Sequence, residues 1–159
     1  SLLLNRVLRK TVRDALSDAG SILDLYCGAG NLSLGLGEDR TVHGLDHHAP
    51  SIASANGMNE GTYEVGDEAA FVRAAGRQTW DAIVLDPPRQ GAKSIMPMLA
   101  RAQTSRIVYV SCDPATLARD SKALLGAGWE LVSLTAVDMF PHTAHVECVA
   151  VFQSSRGGR

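Results

Sequence analysis

SILDLYCGAGN, residues 21–31, is the stretch on which the fold turns. Ile22, Leu23 and Leu25 make a short apolar strand with Asp24 near its end, and Gly28 and Gly30 fall in the turn beyond it. Glycine there lets the backbone approach a ligand closely, at the crevice outside the strand ends where open α/β sheets bind cofactors. A plain tight turn would satisfy the same two glycines. A short helix is expected next, from about Asn31 to Leu36. Upstream, NRVLRKTVRDALSDA (5–19) carries Val7, Leu8, Val12, Ala15 and Leu16 at helical spacing, and Gly20 stops it. Downstream the rhythm repeats. TVHGLD (41–46), TYEV (62–65), WDAIVLD (80–86) and RIVYVS (106–111) read as strands, with helices around 49–59, 67–76, 94–102 and 114–128. WELVSLTAVDMF (129–140) and HVECVAVFQ (145–153) have only PHTA between them, too little for a helix, so they pair antiparallel. Repeated β–α units imply a parallel sheet covered on both faces, with right-handed crossovers. The expectation is an α/β, Rossmann-like domain over residues 1–153. Its mostly parallel seven-stranded sheet carries a C-terminal antiparallel hairpin, and residues 154–159 form a disordered basic tail.

The bulk properties narrow the function. A chain of 159 residues suits one domain with a substantial core, and 45% hydrophobic with 20% charged residues argues against disorder. No apolar run is long enough to span a bilayer, so no membrane role is expected. The formal net charge of -2 means this domain as a whole is no basic clamp for nucleic acid. Cys27, Cys112 and Cys148 are odd in number and lack CxxC spacing, which disfavours disulfides and a metal site and fits the cytoplasm.

Three acids fall at one edge of the expected sheet. Asp24 ends the first strand; Asp46 ends the second, where ribose hydroxyls are commonly held; Asp67 follows the third, where it could receive an amino group or simply cap a helix. The G-x-G spacing lacks the third glycine of the dinucleotide fingerprint, and no Lys-Ser/Thr pair follows as in a phosphate loop. With Gly28, Gly30 and Asn31, these acids read as a site for S-adenosylmethionine, an adenosine without phosphates. The fold class is then a Rossmann-like class I S-adenosylmethionine-dependent methyltransferase.

Two further stretches carry chemistry. LDPPRQGA (85–92) follows the fourth strand, and its two prolines hold Asp86 and Arg89 in a stiff loop. It resembles the loop of amino-group methyltransferases acting on bases, except that Arg89 stands where that motif has a stacking aromatic. YVSCDPATLARD (109–120) puts Cys112 one residue past the fifth strand and just before a helix whose start lowers a thiol pKa. Cys112 is thus a candidate nucleophile, packing being its alternative. A partner base is available in Glu147, at the start of the last strand among apolar neighbours that would raise its pKa, with His145 on the same strand face. His142, His145 and Glu147 could also be read as metal ligands, but no fourth ligand lies near in sequence.

DLYCGAGNLSL, DPPRQGA, YVSCDPATLARD and DMFPHTAHVE, in this order, resemble the RNA uracil-C5 methyltransferases, above all the bacterial enzymes that make 5-methyluridine in 23S rRNA, with the tRNA enzyme a near relative. The resemblance runs from about Asp24 to Phe152. It implies Cys112 as nucleophile, Glu147 as general base and Asp86 holding the target uracil and the donor end of the cofactor. It also implies S-adenosylmethionine at Gly28, Gly30, Asp46 and Asp67, with Arg89 and His145 toward the substrate. Its RNA partner would be 23S rRNA before tRNA; separately, among oligomeric states a monomer is favoured. Family members also carry an RNA-binding β-barrel, a further substrate subdomain and a Gln before the first helix, none of which is in this sequence. A catalytic-domain fragment that binds cofactor but lacks its RNA grip is therefore expected. Asp113 stands where the family commonly has Asn. The alternative function is methylation of another base or an amine through the Asp86–Arg89 loop.

Overall fold

The computed structural model describes residues 2–58, 60–138 and 146–155. Among them a seven-stranded sheet runs in the order β3-β2-β1-β4-β5-β7-β6. The strands are β1 (Ser21–Leu25), β2 (Thr41–Asp46), β3 (Thr62–Val65), β4 (Trp80–Leu85), β5 (Thr104–Ser111), β6 (Trp129–Asp138) and β7 (Val146–Ser154). β3, β2, β1, β4 and β5 are mutually parallel, and β7 enters antiparallel to both β5 and β6. The expected antiparallel pair is present. Its position, with the last strand inserted between the fifth and sixth, is a finding of the structure.

Apolar residues on both faces explain why the central strands read as continuous runs. Leu23, Ile83, Leu85, Ile107 and Tyr109 point to one face, under helices α3 (Glu68–Gly76), α4 (Met96–Arg101) and α5 (Pro114–Gly126). Ile22, Val42, Val84, Val108 and Val110 point to the other, under α1 (Leu2–Ala15) and α2 (Ala49–Met58). Leu8, Val12 and Leu16 form the buried stripe that ties α1 to this second face, each full burial stabilising by about 1.5–3 kcal/mol.

Several boundaries differ from the sequence expectation. Residues 31–35, expected as a helix, form successive turns. Gly35 sits at φ 78°, outside the helical region, and so short a segment could not offset the cost of nucleating a helix. The helix over 94–102 begins as a 3₁₀ turn, Lys93–Ile95, before α4. α1 starts at Leu2 and stops at Ala15, earlier at both ends than expected. β7 extends through Ser154, into the segment expected as tail, and the Ser155 N–H donates to Gly128 O at 3.3 Å. β6 is the edge strand, and Glu130 to Ala136 are exposed along it, Leu131, Val132 and Leu134 included. No helix among the described residues is long and apolar enough to cross a membrane.

Candidate active site

The loop after β1 is built from strained and permissive backbone. Tyr26 takes φ 55°, Gly28 φ 54° and Gly30 φ 83°, and the Gly30 N–H donates to Cys27 O at 2.8 Å. A Cβ on Gly28 would meet nothing within 4 Å, so its positive φ, facing open space, is the reason for glycine there. Asp46 at the end of β2 secures this loop: one carboxylate oxygen accepts from the Gly28 N–H at 3.0 Å, the other from the His48 N–H at 2.9 Å. Asp24 is fully buried. Its Oδ2 accepts from Ser33 Oγ at 2.7 Å, Ser33 lies 2.8 Å from the Tyr63 hydroxyl, and Oδ1 has no hydrogen-bond partner among the described residues. Burial, with Asp46 adding repulsion, raises the Asp24 pKa to about 7 against the opposing pull of the Ser33 hydrogen bond.

The other residues expected to touch the cofactor have visible structural work. Asn31 exchanges two amide hydrogen bonds with Asn5, at 3.1 and 3.2 Å, tying α1 to the loop. Asp67 is the N-cap of α3, accepting from the Ala70 N–H at 3.0 Å, and this bond lowers its pKa. A cleft of about 290 Å³ opens between Tyr26, Glu68, Gln90 and Ser94; residues next in sequence to Asp67 and Arg89 line it, but none of the candidate residues themselves. Two larger clefts, of about 480 Å³ each, lie by Thr79, Arg101 and Gln103 near the strand starts and hold none of the candidate residues.

The inserted strand brings the second group of residues together. Ser111 of β5 pairs with Cys148 of β7, so Cys112 and Glu147 are the next opposed positions beyond that rung. Asp86 follows β4, whose Leu85 lies beside Tyr109 of β5, and the Asp86 N–H reaches Leu25 O at 3.3 Å. Glu147 is half-buried with Oε2 unpartnered among the described residues, and burial raises its pKa. Asp86 is raised to about 7 by burial, then by the charges of Glu147 and Asp24. Cys112 is half-buried too, and here the expectation needs correcting. Burial first, then Glu147 and Asp86, push its thiol up; its backbone hydrogen bond and Arg89 pull the other way and do not prevail. The start of α5 does not make this a free thiolate. Arg89 lies 3.6 Å from Asp113, which caps α5 by accepting from the Ala115 and Thr116 N–H groups. Cys27 and Cys148 are buried. His142 and His145 lie outside the described residues.

Three features of this edge were not anticipated: the Asp24–Ser33–Tyr63 column, the Asn5–Asn31 pair and buried Asp120. Only the last left a clear signal. Leu117, Asp120 and Leu124 recur on the buried face of α5, and a carboxylate in that register demands partners.

A thiol facing a carboxyl of raised pKa, beside a second such carboxyl and a glycine loop on the same sheet edge, can run nucleophilic addition followed by proton abstraction. The class defined by this fold is the Rossmann-like methyltransferase. The solved Pyrococcus abyssi tRNA (uracil-54, C5)-methyltransferase, in complex with S-adenosyl-L-homocysteine, superposes with a TM-score of 0.79 and 33% identity, over 93% of this chain and 38% of that one. The tRNA (uracil-5-)-methyltransferase family profile matches residues 65–155, and the chain belongs to that family. Among curated relatives, the 23S rRNA (uracil(1939)-C(5))-methyltransferase RlmD of Photobacterium profundum is 40% identical over 150 residues, 89% of this chain and 32% of that protein. The protein of the same description from Photobacterium angustum is 41% identical over 140 residues, 82% of this chain and 64% of its own length. The chain thus spans 32% and 64% of these two relatives, less than two thirds of either.

Proposed function

We propose that this chain transfers a methyl group from S-adenosylmethionine to C5 of a uridine in RNA, through a covalent bond between Cys112 and C6. The observation that carries the reading is the β5–β7 register, which opposes Cys112 to Glu147 with Asp86 alongside. A 23S rRNA target is favoured over tRNA, because the curated 23S rRNA relatives are 40% and 41% identical against 33% for the tRNA enzyme. The site of action would be the cytoplasm.

The residues fit the cofactor. Among the described residues Asp24 keeps a buried oxygen without a partner, Gly28 faces open space, and residues 24–31 hold no Lys or Arg to select phosphate. Asp24, Gly28, Gly30, Asn31, Asp46 and Asp67 would hold S-adenosylmethionine, whose amine, hydroxyls and sulfonium charge suit an edge rich in carboxylates. When bound it supplies an electrophilic methyl group. Cys112 gives its proton to a neighbouring carboxylate and adds to C6 of the flipped-out uracil, which leaves C5 nucleophilic. Asp86, titrating near neutrality, holds the uracil by a hydrogen bond in either protonation state, with Arg89 and His145 placed on the substrate side. Once C5 is methylated, Glu147 removes its proton and Cys112 departs, restoring the aromatic base.

The test is intact mass after mixing the chain with S-adenosylmethionine and RNA containing 5-fluorouridine. Fluorine cannot leave C5 as a proton does, so the expected product is protein plus RNA plus one methyl group, absent from Cys112→Ser. If the chain binds cofactor but forms no adduct, and a fusion supplying the rest of the Photobacterium profundum relative does, the RNA grip lies outside these residues. No adduct from either rejects the uracil reading in favour of another base or an amine.

A further inference from the structure

One side of α5 grips the backbone of the loop that carries Asp86. Asp120 is 2% exposed, and its Oδ2 accepts from the Ala92 N–H at 2.8 Å and from the Tyr109 hydroxyl at 2.6 Å. Its Oδ1 accepts from Arg119 Nε and Nη2 at 3.0 and 2.9 Å, and that same Nη2 donates to Gln90 O at 2.9 Å. One turn earlier, Thr116 Oγ1 donates to Arg89 O at 3.0 Å. Three neighbouring stretches of loop backbone are therefore held by Thr116, Arg119 and Asp120, which share a helix face. Gly91 shows how close the approach is. It takes φ 81°, and a Cβ there would lie 2.6 Å from Arg119 Nη2 and 2.7 Å from Asp120 Oδ2.

We infer that Asp120, with Thr116 and Arg119, is a positioning residue that locks the Asp86 loop to the helix following Cys112, fixing carboxyl and thiol relative to each other before any ligand arrives. The inference rests on the reading of Cys112 and Asp86 as the working groups. A buried carboxylate is costly to keep unless paired, and here it collects donors from a strand, a loop and its own helix. Engagement of all three ties β5, the 86–92 loop and α5 into one body, at the point where β4 and β5 deliver their residues to the sheet edge. This is the preorganisation that a two-carboxyl, one-thiol reaction requires.

The test uses the whole chain without RNA, so it can fail independently of the fluorouridine trap. Iodoacetamide alkylation of Cys112, in which the thiolate displaces iodide, is followed by peptide mass between pH 7 and pH 10. Among the described residues, the charges acting on Cys112 are those of Glu147, Asp86 and Arg89. Asp86→Asn is expected to raise the ratio of the pH 8 rate to the plateau rate extrapolated from the pH profile by about threefold, as removal of one nearby negative charge should. Asp120→Asn should raise the same ratio by freeing the loop, and Asp86→Asn added to it should change little more. Thr116→Val, a milder lesion, should give a smaller shift in the same direction and serves if Asp120→Asn does not fold. The inference is overturned if Asp120→Asn and Thr116→Val lower the melting temperature but leave the ratio at its wild-type value. It also fails if Asp86→Asn itself does not alter the ratio, or if the Asp86→Asn effect is undiminished in the Asp120→Asn background.

Discussion

Two carboxyl groups in this edge have been pushed far from their ordinary range, and their sign is consequential. Asp24 and Asp86 each titrate at about 7 in the folded chain against 3.8 when exposed. A folded pKa above the unfolded one means the folded state binds the proton more tightly. Their contribution is therefore whole below about pH 4 and is lost as pH rises through 7. Asp24→Asn should accordingly raise the melting temperature at pH 8, by an amount equivalent to roughly 1–3 kcal/mol, and leave it nearly unchanged at pH 4. Melting curves of both proteins across that range would show a gap opening with pH, and a constant gap would refute the assignment. Glu147 has a different signature. In the reaction proposed above, Glu147→Gln leaves addition and methyl transfer possible but gives the C5 proton no acceptor. Covalent complex with ordinary, unfluorinated RNA should then build up, detectable by mass, where wild type shows none at steady state.

At the scale of elements, the cap of α5 separates two functions in one side chain. Asp113 uses one oxygen for the Ala115 and Thr116 N–H groups and presents the other to Arg89. Asp113→Ala should cost about 1 kcal/mol in denaturant unfolding through the lost cap. Asp113→Asn, which keeps the cap and forfeits an exposed ion pair, should cost well under that. Equal losses would mean the ion pair, not the cap, matters. What was legible in the sequence also divides along these lines. β4 and β5 announced themselves because both their faces are buried, and the acids and Cys112 could be placed because each lies at or just beyond the end of a strand. The turns at 31–35 were misread because a helix start and a glycine-rich turn share the same local residues, and only the settled backbone at Gly35 distinguishes them. That β7 lies between β5 and β6 is written in no local pattern, since a strand's own residues fix its faces but not its neighbours. Burial is the main reason the Cys112 thiol is pushed up, and the hidden adjacency of β7 adds the charge of Glu147 to it.

Across the whole molecule the sheet ends unevenly. β3 is four residues long at one border, whereas β6 presents ten residues at the other, with Leu131, Val132 and Leu134 exposed. A long border strand with exposed apolar side chains is prone to pair with another chain. Leu134→Lys should reduce concentration-dependent light scattering of this chain while leaving its melting temperature nearly unchanged. An equal scattering profile would place the association elsewhere. The order of the strands has one more consequence, in time rather than in space. A chain made from its N-terminus completes the glycine loop, the Asp86 loop and Cys112 well before β7 exists. β6 must then leave room for a strand that has not yet been made. Until that strand is in place, the thiol has Asp86 near it but not Glu147. The closing of the sheet thus also completes the proposed site.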